Sequence, residues 1–392
     1  MKILHIIPAY LPAYRYGGPI ESVHSLNKAL VEAGAEVTVY TTDIDGPGTL
    51  RVSTSASTVI DGVKVFYFKH SFPRSWFYSR TMHRALAEHA GEFDVIHVTS
   101  VFLAASWLGA RFARKFCKPY IISPRGSLMR EPLGKKSIKK KIYLSLIERM
   151  NLKGAAAIHF TVSAEEREYR EAGLPLGSTV TIPNSVDIQS LGEGDGKAFR
   201  QKLGIASDRK IILSLGRLSW KKGFDTLIPA FAEITKEIPD AILVIAGGDD
   251  EGYKKVIVRM IEEHKLQRHV VFAGPIARGD KSSAYAASDF FVLPSYSENF
   301  GMVVAEAMGF GLPVVVTGGV GIAHSVAEGN AGLVVKKDSA ELARALLWTL
   351  HNPAEAKKMG ERGSGLVRDC FSPSKVANAF MNVYLNLSKE HS

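Results

Sequence analysis

Phe290-Phe291-Val292-Leu293-Pro294-Ser295-Tyr296-Ser297-Glu298-Asn299-Phe300-Gly301-Met302-Val303-Val304-Ala305-Glu306-Ala307-Met308 runs from an apolar tetrad through a polar turn into a helix-forming stretch. Consecutive apolar residues ending at a proline suit a strand buried on both faces, as in a parallel sheet covered by helices. Ser297 or Asn299 is expected to cap a helix beginning near Gly301, so that the amides around Asn299–Gly301 present the positive end of the helix dipole to an anion. Glu298 precedes that helix and Glu306 is expected about two turns inside it. Flanked by Val303, Val304, Ala305, Ala307 and Met308, the Glu306 carboxylate needs a partner. The two glutamates can bracket one polyhydroxylated ligand, each accepting from hydroxyls. Without a ligand, Glu298 is decoration of a cap and Glu306 a surface residue.

The same strand, turn and helix alternation extends both ways along the chain. Apolar runs at Lys210–Leu215, Ala241–Ala246, Val270–Ala273, Pro313–Val316 and Leu333–Val335 are separated by helical stretches such as Phe224–Glu237 and Gly252–Glu263. An earlier series reads as strands at Lys2–Ile7, Glu36–Thr42, Val63–Lys69, Val95–Val98, Tyr120–Ser123, Ala156–Thr161 and Thr179–Ile182, with Ile20–Ala33 and Thr81–Ala90 as crossover helices. Between the two series, residues 183–197 are rich in Gly, Asp, Ser and Pro and lack periodicity, as a linker does. The fold class is therefore α/β, with two doubly wound, Rossmann-like parallel-sheet domains over 1–186 and 187–373. A terminal helix over about 374–392 is expected to return to the first domain. Ligands of such sheets collect outside the carboxyl ends of the strands, which predicts a cleft between facing domains.

The 392 residues are 46% apolar and 22% charged, ordinary for a folded chain and sufficient for two domains. No apolar run approaches the roughly 18 to 20 residues needed to cross a bilayer. The first ten residues are too short in apolar content for a signal peptide, so the mature chain is expected to start at Met1 and to be cytoplasmic. Cys117 and Cys370 have no metal-site or disulfide spacing and read as small buried hydrophobes. The net charge of +10 is uneven, because residues 111–141 hold eleven Lys or Arg and a single acid, Glu131. Such a field attracts an anionic substrate or surface.

Two further motifs carry chemistry. Tyr16-Gly17-Gly18-Pro19 lies between a strand and a helix, where glycines let backbone amides approach an anion. Leu215-Gly216-Arg217-Leu218-Ser219-Trp220-Lys221-Lys222-Gly223 follows a strand in the second series, and Arg217 and Lys222 can neutralise a diphosphate there. Each also reads as an ordinary turn or solvated loop.

Taken together, Glu298-x7-Glu306, Gly216-Arg217 with Lys222-Gly223, Ile182-Pro183-Asn184-Ser185-Val186-Asp187 and Gly17-Gly18 resemble the retaining GT-B glycosyltransferases, the large group 1 family, over essentially the whole chain. The resemblance implies transfer of a sugar from a nucleoside diphosphate sugar to an acceptor hydroxyl, with retention at the anomeric carbon. It implies that Arg217 and Lys222 hold the diphosphate, that Glu298 contacts the donor sugar near the Asn299, Phe300 and Gly301 backbone, and that Glu306 holds the ribose. Gly17 and Gly18 would approach the donor from the first domain, and Pro275, in Gly274-Pro275-Ile276, would flank the base. Similar proteins often carry a histidine where this chain has Arg125, in Ser123-Pro124-Arg125-Gly126. Arginine cannot act as a base, so an auxiliary electrostatic role toward donor or acceptor is expected. His97 also resembles a family position and is an acceptor-contact candidate, although a strand-end histidine is more often structural.

Neither a cofactor nor a metal is expected, the nucleotide sugar being a substrate. Asp43-Ile44-Asp45 has the form of a metal-binding DxD but stands far from the donor motifs. The expected partners are the sugar nucleotide and a sugar or lipid-linked acceptor. Lys139–Lys141 followed by Tyr143, Leu144, Leu146 and Ile147 suits the inner face of an anionic membrane. A nucleotide-sugar epimerase would bind a similar donor without an acceptor. A nucleic-acid-binding protein would explain the charge, but aromatic residues are not interleaved with the basic cluster as a stacking surface requires. A nicotinamide dehydrogenase would need the dinucleotide glycine fingerprint, which the chain lacks.

Overall fold

The computed structural model describes residues 1–134, 142–175 and 177–390. The chain divides into two compact units, Met1–Ser185 with Ser372–Ser392, and Val186–Phe371.

In the first unit the strands are β1 (Lys2–Ile6), β2 (Glu36–Thr42), β3 (Ile44–Asp45), β4 (Gly48–Thr49), β5 (Thr58–Ile60), β6 (Val63–Phe68), β7 (Val95–Thr99), β8 (Tyr120–Ser123), β9 (Ala157–Phe160) and β10 (Thr179–Thr181). Eight of them form one sheet in the order β10-β9-β8-β7-β1-β2-β6-β5, parallel except for the antiparallel β5–β6 edge. β1 is central, and its alternate residues face two cores. Ile3 packs with Val23, Leu26 and Leu30 of the helix α1 (Gly18–Glu32) and with Phe380 and Tyr384 of the terminal helix Pro373–Glu390. Leu4 and Ile6 pack with Met82, Leu86, Leu108 and Phe112 on the opposite face. A strand covered on both sides must be apolar throughout, which is why it shows no alternation in sequence.

The second unit holds β11 (Lys210–Leu215), β12 (Ala241–Ala246), β13 (Val270–Gly274), β14 (Phe290–Leu293), β15 (Val314–Thr317) and β16 (Gly332–Val335), all parallel, in the order β13-β12-β11-β14-β15-β16. Leu227, Ile228, Phe231 and Ile234 of Phe224–Glu237 fill one core with Leu342 and Leu346 of Ser339–His351. In both sheets the strand order reverses once, beside β1 at β7 and beside β11 at β14. Loops leaving the carboxyl ends of such neighbouring strands turn to opposite faces and leave a crevice.

Several local expectations need correction. The hairpin β3–β4 and edge strand β5 were not expected, since strands this short carry no periodic signal. The helix after β14 spans Met302–Gly309, and neither Ser297 nor Asn299 caps it; Gly301 holds the cap position at φ +101. A Cβ there would lie 2.7 Å from Val320 Cγ1, so backbone conformation and space both require glycine. Glu306 is the fifth residue of that helix, about one turn inside rather than two. Cys117 and Cys370 are exposed, not buried; Cys117 falls in the turn that closes a helix and Cys370 on the π-helical stretch Val367–Phe371. Asp43 is engaged by the backbone amide and ring of His70, at 2.9 and 2.8 Å, and Asp45 lies 3.9 Å from Arg15. Of the basic segment, Lys135, Lys136 and Lys139–Lys141 lie outside the described residues, as do the last two residues of the expected terminal helix. Among the described residues no helix is long and apolar enough to cross a membrane.

The terminal helix supplies Phe380 and Tyr384 to the first core, both essentially inaccessible to solvent. Phe380→Ala should cost about 3–5 kcal/mol, measured as a shift in the denaturant midpoint of the full chain. A change under about 1 kcal/mol would mean that the helix docks without its aromatic residues.

Candidate functional site

The loops following β11 and β14, at the reversal of the second sheet, carry most of the residues singled out in the sequence. They are tied together by the Tyr296 amide, which donates to the Lys221 carbonyl at 2.7 Å. Lys222 Nζ, from the first loop, donates to Glu298 Oε1 in the second at 2.6 Å, with both side chains largely buried. Ser295 Oγ donates to the same carboxylate oxygen at 3.0 Å. The Lys222 ammonium lies close over Gly216, where an added Cβ would stand 3.0 Å from Nζ. Arg217 does not join this pair. Its side chain is 76% exposed and its guanidinium approaches Asp250, beyond β12, at 3.7 Å.

Glu306 is 4% exposed. Lys281 Nζ donates to its Oε1 at 3.1 Å and Tyr285 Oη to its Oε2 at 2.7 Å. This is the partner that a carboxylate among apolar neighbours demands. Lys281 and Tyr285 stand four apart on Arg278–Ala286 and therefore share one helix face. Sequence reading missed both; the signal available was the Lys-x3-Tyr spacing. Phe300 is buried against Phe371 at 5.5 Å between ring centroids, so only its backbone remains for a ligand. Asn299 is half-buried and Pro275 exposed. The second unit thus offers two carboxylates, each preset on a lysine, an exposed arginine and the N-terminus of Met302–Gly309. That combination suits a ligand with both anionic and hydroxyl groups.

In the first unit, Gly17 holds the N-cap position of α1 at φ +71, and Gly18 is its first residue. His97 is fully buried in β7 and lies inside a polar chain through the unit. Its Nδ1 meets Tyr384 Oη and its Nε2 meets Ser123 Oγ, both at 2.6 Å; Ser123 Oγ meets His159 Nδ1 at 2.7 Å, and His159 Nε2 meets the Ile182 carbonyl at 2.7 Å. His5 stacks on His97 with centroids 4.3 Å apart.

Burial and mutual proximity hold these rings neutral. His5 is lowered to about 4 and His159 to about 3, mainly by burial, with Arg125 contributing, and His97 falls well below its usual value. Neutrality fixes every proton in the chain. A carbonyl only accepts, so His159 Nε2 donates to Ile182 and its Nδ1 accepts from Ser123. Ser123 in turn accepts from His97 Nε2, and His97 Nδ1 accepts from Tyr384. Both nitrogens of His97 are occupied within the unit, so an acceptor would have to displace Tyr384 or Ser123 to reach it. The sequence signal was present but unread: three strands, Lys2-Ile3-Leu4-His5-Ile6, Val95-Ile96-His97-Val98-Thr99 and Ala157-Ile158-His159-Phe160, each bury one histidine among apolar residues.

Arg125 sits just beyond β8 with φ +52, its guanidinium beside Asn184 and Ser22. Among the described residues no cluster of three or more His, Cys, Asp or Glu could hold a metal ion.

Two doubly wound parallel sheets in one chain define the GT-B architecture. Residues 195–365 match the family described as Glycosyl transferases group 1, and residues 17–185 match the Glycosyl transferase 4-like domain; the chain belongs to the glycosyltransferases that these domains make up. It is 31% identical over 201 residues to a D-inositol 3-phosphate glycosyltransferase of Catenulispora acidiphila, covering 48% of this chain and 46% of that one. It is 36% identical over 122 residues to an alpha-monoglucosyldiacylglycerol synthase of Streptococcus pneumoniae, covering 31% and 27%. The chain spans about half the length of the curated relatives it matches. A sucrose-phosphate synthase from Thermosynechococcus elongatus superposes with a TM-score of 0.77 at 24% identity over the whole of both chains. An Anabaena protein solved with UDP and glucose superposes with a TM-score of 0.76 at 21% identity, covering 98% of this chain and all of the other. At these identities the likeness establishes the fold.

The imidazole chain has a consequence for stability. An unfolded histidine takes up its proton near pH 6.5, whereas the native rings at about 4 and 3 do not. At these rings the unfolded state therefore binds up to about three more protons as pH falls below about 6.5; Glu148, raised by burial to about 7, and Glu165, also raised by burial, release theirs on unfolding, so stability should drop between about pH 6.5 and 4 with a net uptake of about one to two protons. Melting curves across that range check this, and a flat Tm would contradict it.

Proposed function

We propose that the protein transfers a glycosyl group from a nucleoside diphosphate sugar to an acceptor hydroxyl, with retention at the anomeric carbon and without a metal. The observation that carries this reading is the Lys222–Glu298 pair joining the two loops at the sheet reversal. Cleaving a glycosyl–phosphate bond leaves a diphosphate with added negative charge, which must be stabilised as it forms. Lys222, Arg217 and the N-terminus of Met302–Gly309 supply positive potential for it. An arriving diphosphate competes with Glu298 for the Lys222 ammonium and frees the carboxylate for donor-sugar hydroxyls. Glu306, fixed by Lys281 and Tyr285, accepts from the ribose, and Pro275 flanks the base. The second unit is thus the donor domain, and the first, with Gly17 and Gly18 at the start of α1, the acceptor domain. Structural neighbours solved with UDP and glucose or with UDP-glucose and relatives named a D-inositol 3-phosphate glycosyltransferase and an alpha-monoglucosyldiacylglycerol synthase support the substrate class: a sugar nucleotide and a sugar or lipid-linked acceptor, as in cell-surface polysaccharide or glycolipid synthesis.

One surface supports a membrane-peripheral location, expected on the cytoplasmic side. Ile142, Leu146 and Met150 are 53%, 70% and 53% exposed at four-residue spacing. Leu144, expected to join them, is instead turned onto the core. Residues 101–154 carry thirteen Lys or Arg against two acids, Glu131 and the buried Glu148. Exposed apolar side chains in a segment this rich in basic residues suit an anionic bilayer. The wild type should therefore co-float with vesicles containing phosphatidylglycerol and not with pure phosphatidylcholine. The combined Ile142→Ser, Leu146→Ser and Met150→Ser substitutions should lower the partition about tenfold or more, and co-flotation unaltered by them would remove the assignment.

With a sugar nucleotide and acceptor supplied, Lys222→Ala should reduce kcat by about a hundredfold to a thousandfold. Glu306→Ala should raise the donor KM by about tenfold to a hundredfold, the worth of a hydrogen bond to a charged group. The wild-type rate should survive dialysis against chelator. Wild-type turnover by Lys222→Ala at saturating donor would refute the leaving-group role, and interconversion of two sugar nucleotides without acceptor would identify an epimerase.

A further inference from the structure

Lys222 and Glu298 answer each other's charge and no other. Among the described residues no second cation lies within ion-pair distance of Glu298 and no second anion within that distance of Lys222; Arg217 is drawn to Asp250 and Lys281 to Glu306. The two side chains are 14% and 22% exposed. An ion largely removed from water is destabilised once its partner is taken away. Whatever draws one member of this pair aside must therefore also provide for the other.

The backbone around both residues is held in place, which leaves any exchange of partners to the side chains. Gly223, next to Lys222, packs so closely on the Pro294 carbonyl that a Cβ there would collide with it. Glu298 is bonded on both sides, its amide to the Gly319 carbonyl at 2.9 Å and its carbonyl to the Gly321 amide at 3.0 Å. Both donors that reach its carboxylate, Lys222 Nζ at 2.6 Å and Ser295 Oγ at 3.0 Å, meet the same oxygen, Oε1. Oε2 meets no donor among the described residues, so it is the oxygen left for an incoming hydroxyl. Glu306 is arranged differently. Its two oxygens are each bonded from the one helix, by Lys281 and Tyr285, and a diphosphate held at Lys222 does not disturb them.

Two ligands meet this pair differently, an argument that rests on the donor-site reading above. A bare nucleoside diphosphate draws the Lys222 ammonium to its phosphates, leaves Glu298 with Ser295 alone, and sets two anions beside one cation. A sugar nucleotide draws the same ammonium but covers the carboxylate with sugar hydroxyls, so neither charge is left unmet. We infer that Glu298 makes the second unit discriminate against the bare nucleoside diphosphate in favour of the sugar nucleotide. Once the sugar has gone, the carboxylate reclaims Lys222 and hastens departure of the nucleoside diphosphate. The contact that braces the two loops is thus also a latch against the product.

Calorimetry on the full chain with inorganic diphosphate, UDP and UDP-glucose tests this in the wild type, Glu298→Gln, Ser295→Ala, Lys222→Ala and the Lys222→Ala, Glu298→Gln double variant. Inorganic diphosphate reads the exchange whatever base and sugar the protein uses. Glu298→Gln keeps the shape and removes the charge, so it should bind diphosphate and UDP at least about tenfold more tightly than the wild type, and UDP-glucose with a smaller gain or a loss. UDP should also leave this variant about tenfold more slowly in stopped-flow displacement. The gain should vanish in the double variant. Ser295→Ala takes a neutral donor from the carboxylate and leaves more of its charge for Lys222, so it should weaken diphosphate about twofold to tenfold. Diphosphate and UDP affinities in Glu298→Gln equal to or below those of the wild type overturn the inference; if Lys222→Ala still abolishes binding, the donor site stands without the discrimination. Wild-type binding of diphosphate and UDP by Lys222→Ala overturns the donor-site reading itself, as does failure of every one of these proteins to bind any of the three ligands.

Discussion

Everything chemical in this protein hangs on the direction in which parallel strands are connected. Crossovers between parallel strands keep one hand, so a sheet that grows first to one side of its initial strand and then to the other sends two neighbouring loops to opposite faces. In the second unit those strands are β11 and β14, and the loops that part there carry Lys222 and Glu298. The pair closes the gap with a charge-assisted hydrogen bond between groups desolvated enough to interact strongly. The same contact braces the two loops against each other, together with the Tyr296–Lys221 backbone bond.

The first unit obeys the same topology and fills its reversal differently. β1 and β7 carry stacked, neutral imidazoles, and the terminal helix completes the hydrogen-bond chain through Tyr384. A carbonyl at one end and burial throughout leave a single proton arrangement, so the network specifies the docking of a helix from the far end of the chain without burying a charge. Arg125 is the exception at the edge of this neutral region. Its charge is retained, and Asn184 and Ser22 accept from it in place of a carboxylate.

Most of the architecture was legible in the residues. Glu36–Thr42, Tyr120–Ser123, Lys210–Leu215, Ala241–Ala246 and Phe290–Leu293 are strands with the bounds that their apolar runs imply, because a strand buried on both faces must be continuously apolar. The β3–β4 hairpin escaped, since two-residue strands have no period to detect. The cap of Met302–Gly309 was misassigned because a side-chain cap and a left-handed glycine leave similar traces in sequence; the crowding of Val320 against Gly301, which decides for glycine, is a tertiary fact.

By itself, then, the sequence determined the alternation of strands and helices, the two series, and which polar residues stand at strand ends, since these depend on local periodicity and backbone preference. Only the tertiary structure decided the partner of each charge. Lys222 meets Glu298 across 76 residues, Lys281 meets Glu306 across 25, and His97 meets Tyr384 across 287. Electrostatic and hydrogen-bond energies are set by distance and burial rather than by position along the chain, so Arg125, held by Asn184 and Ser22, and Lys222, paired with Glu298, differ only once the chain has folded.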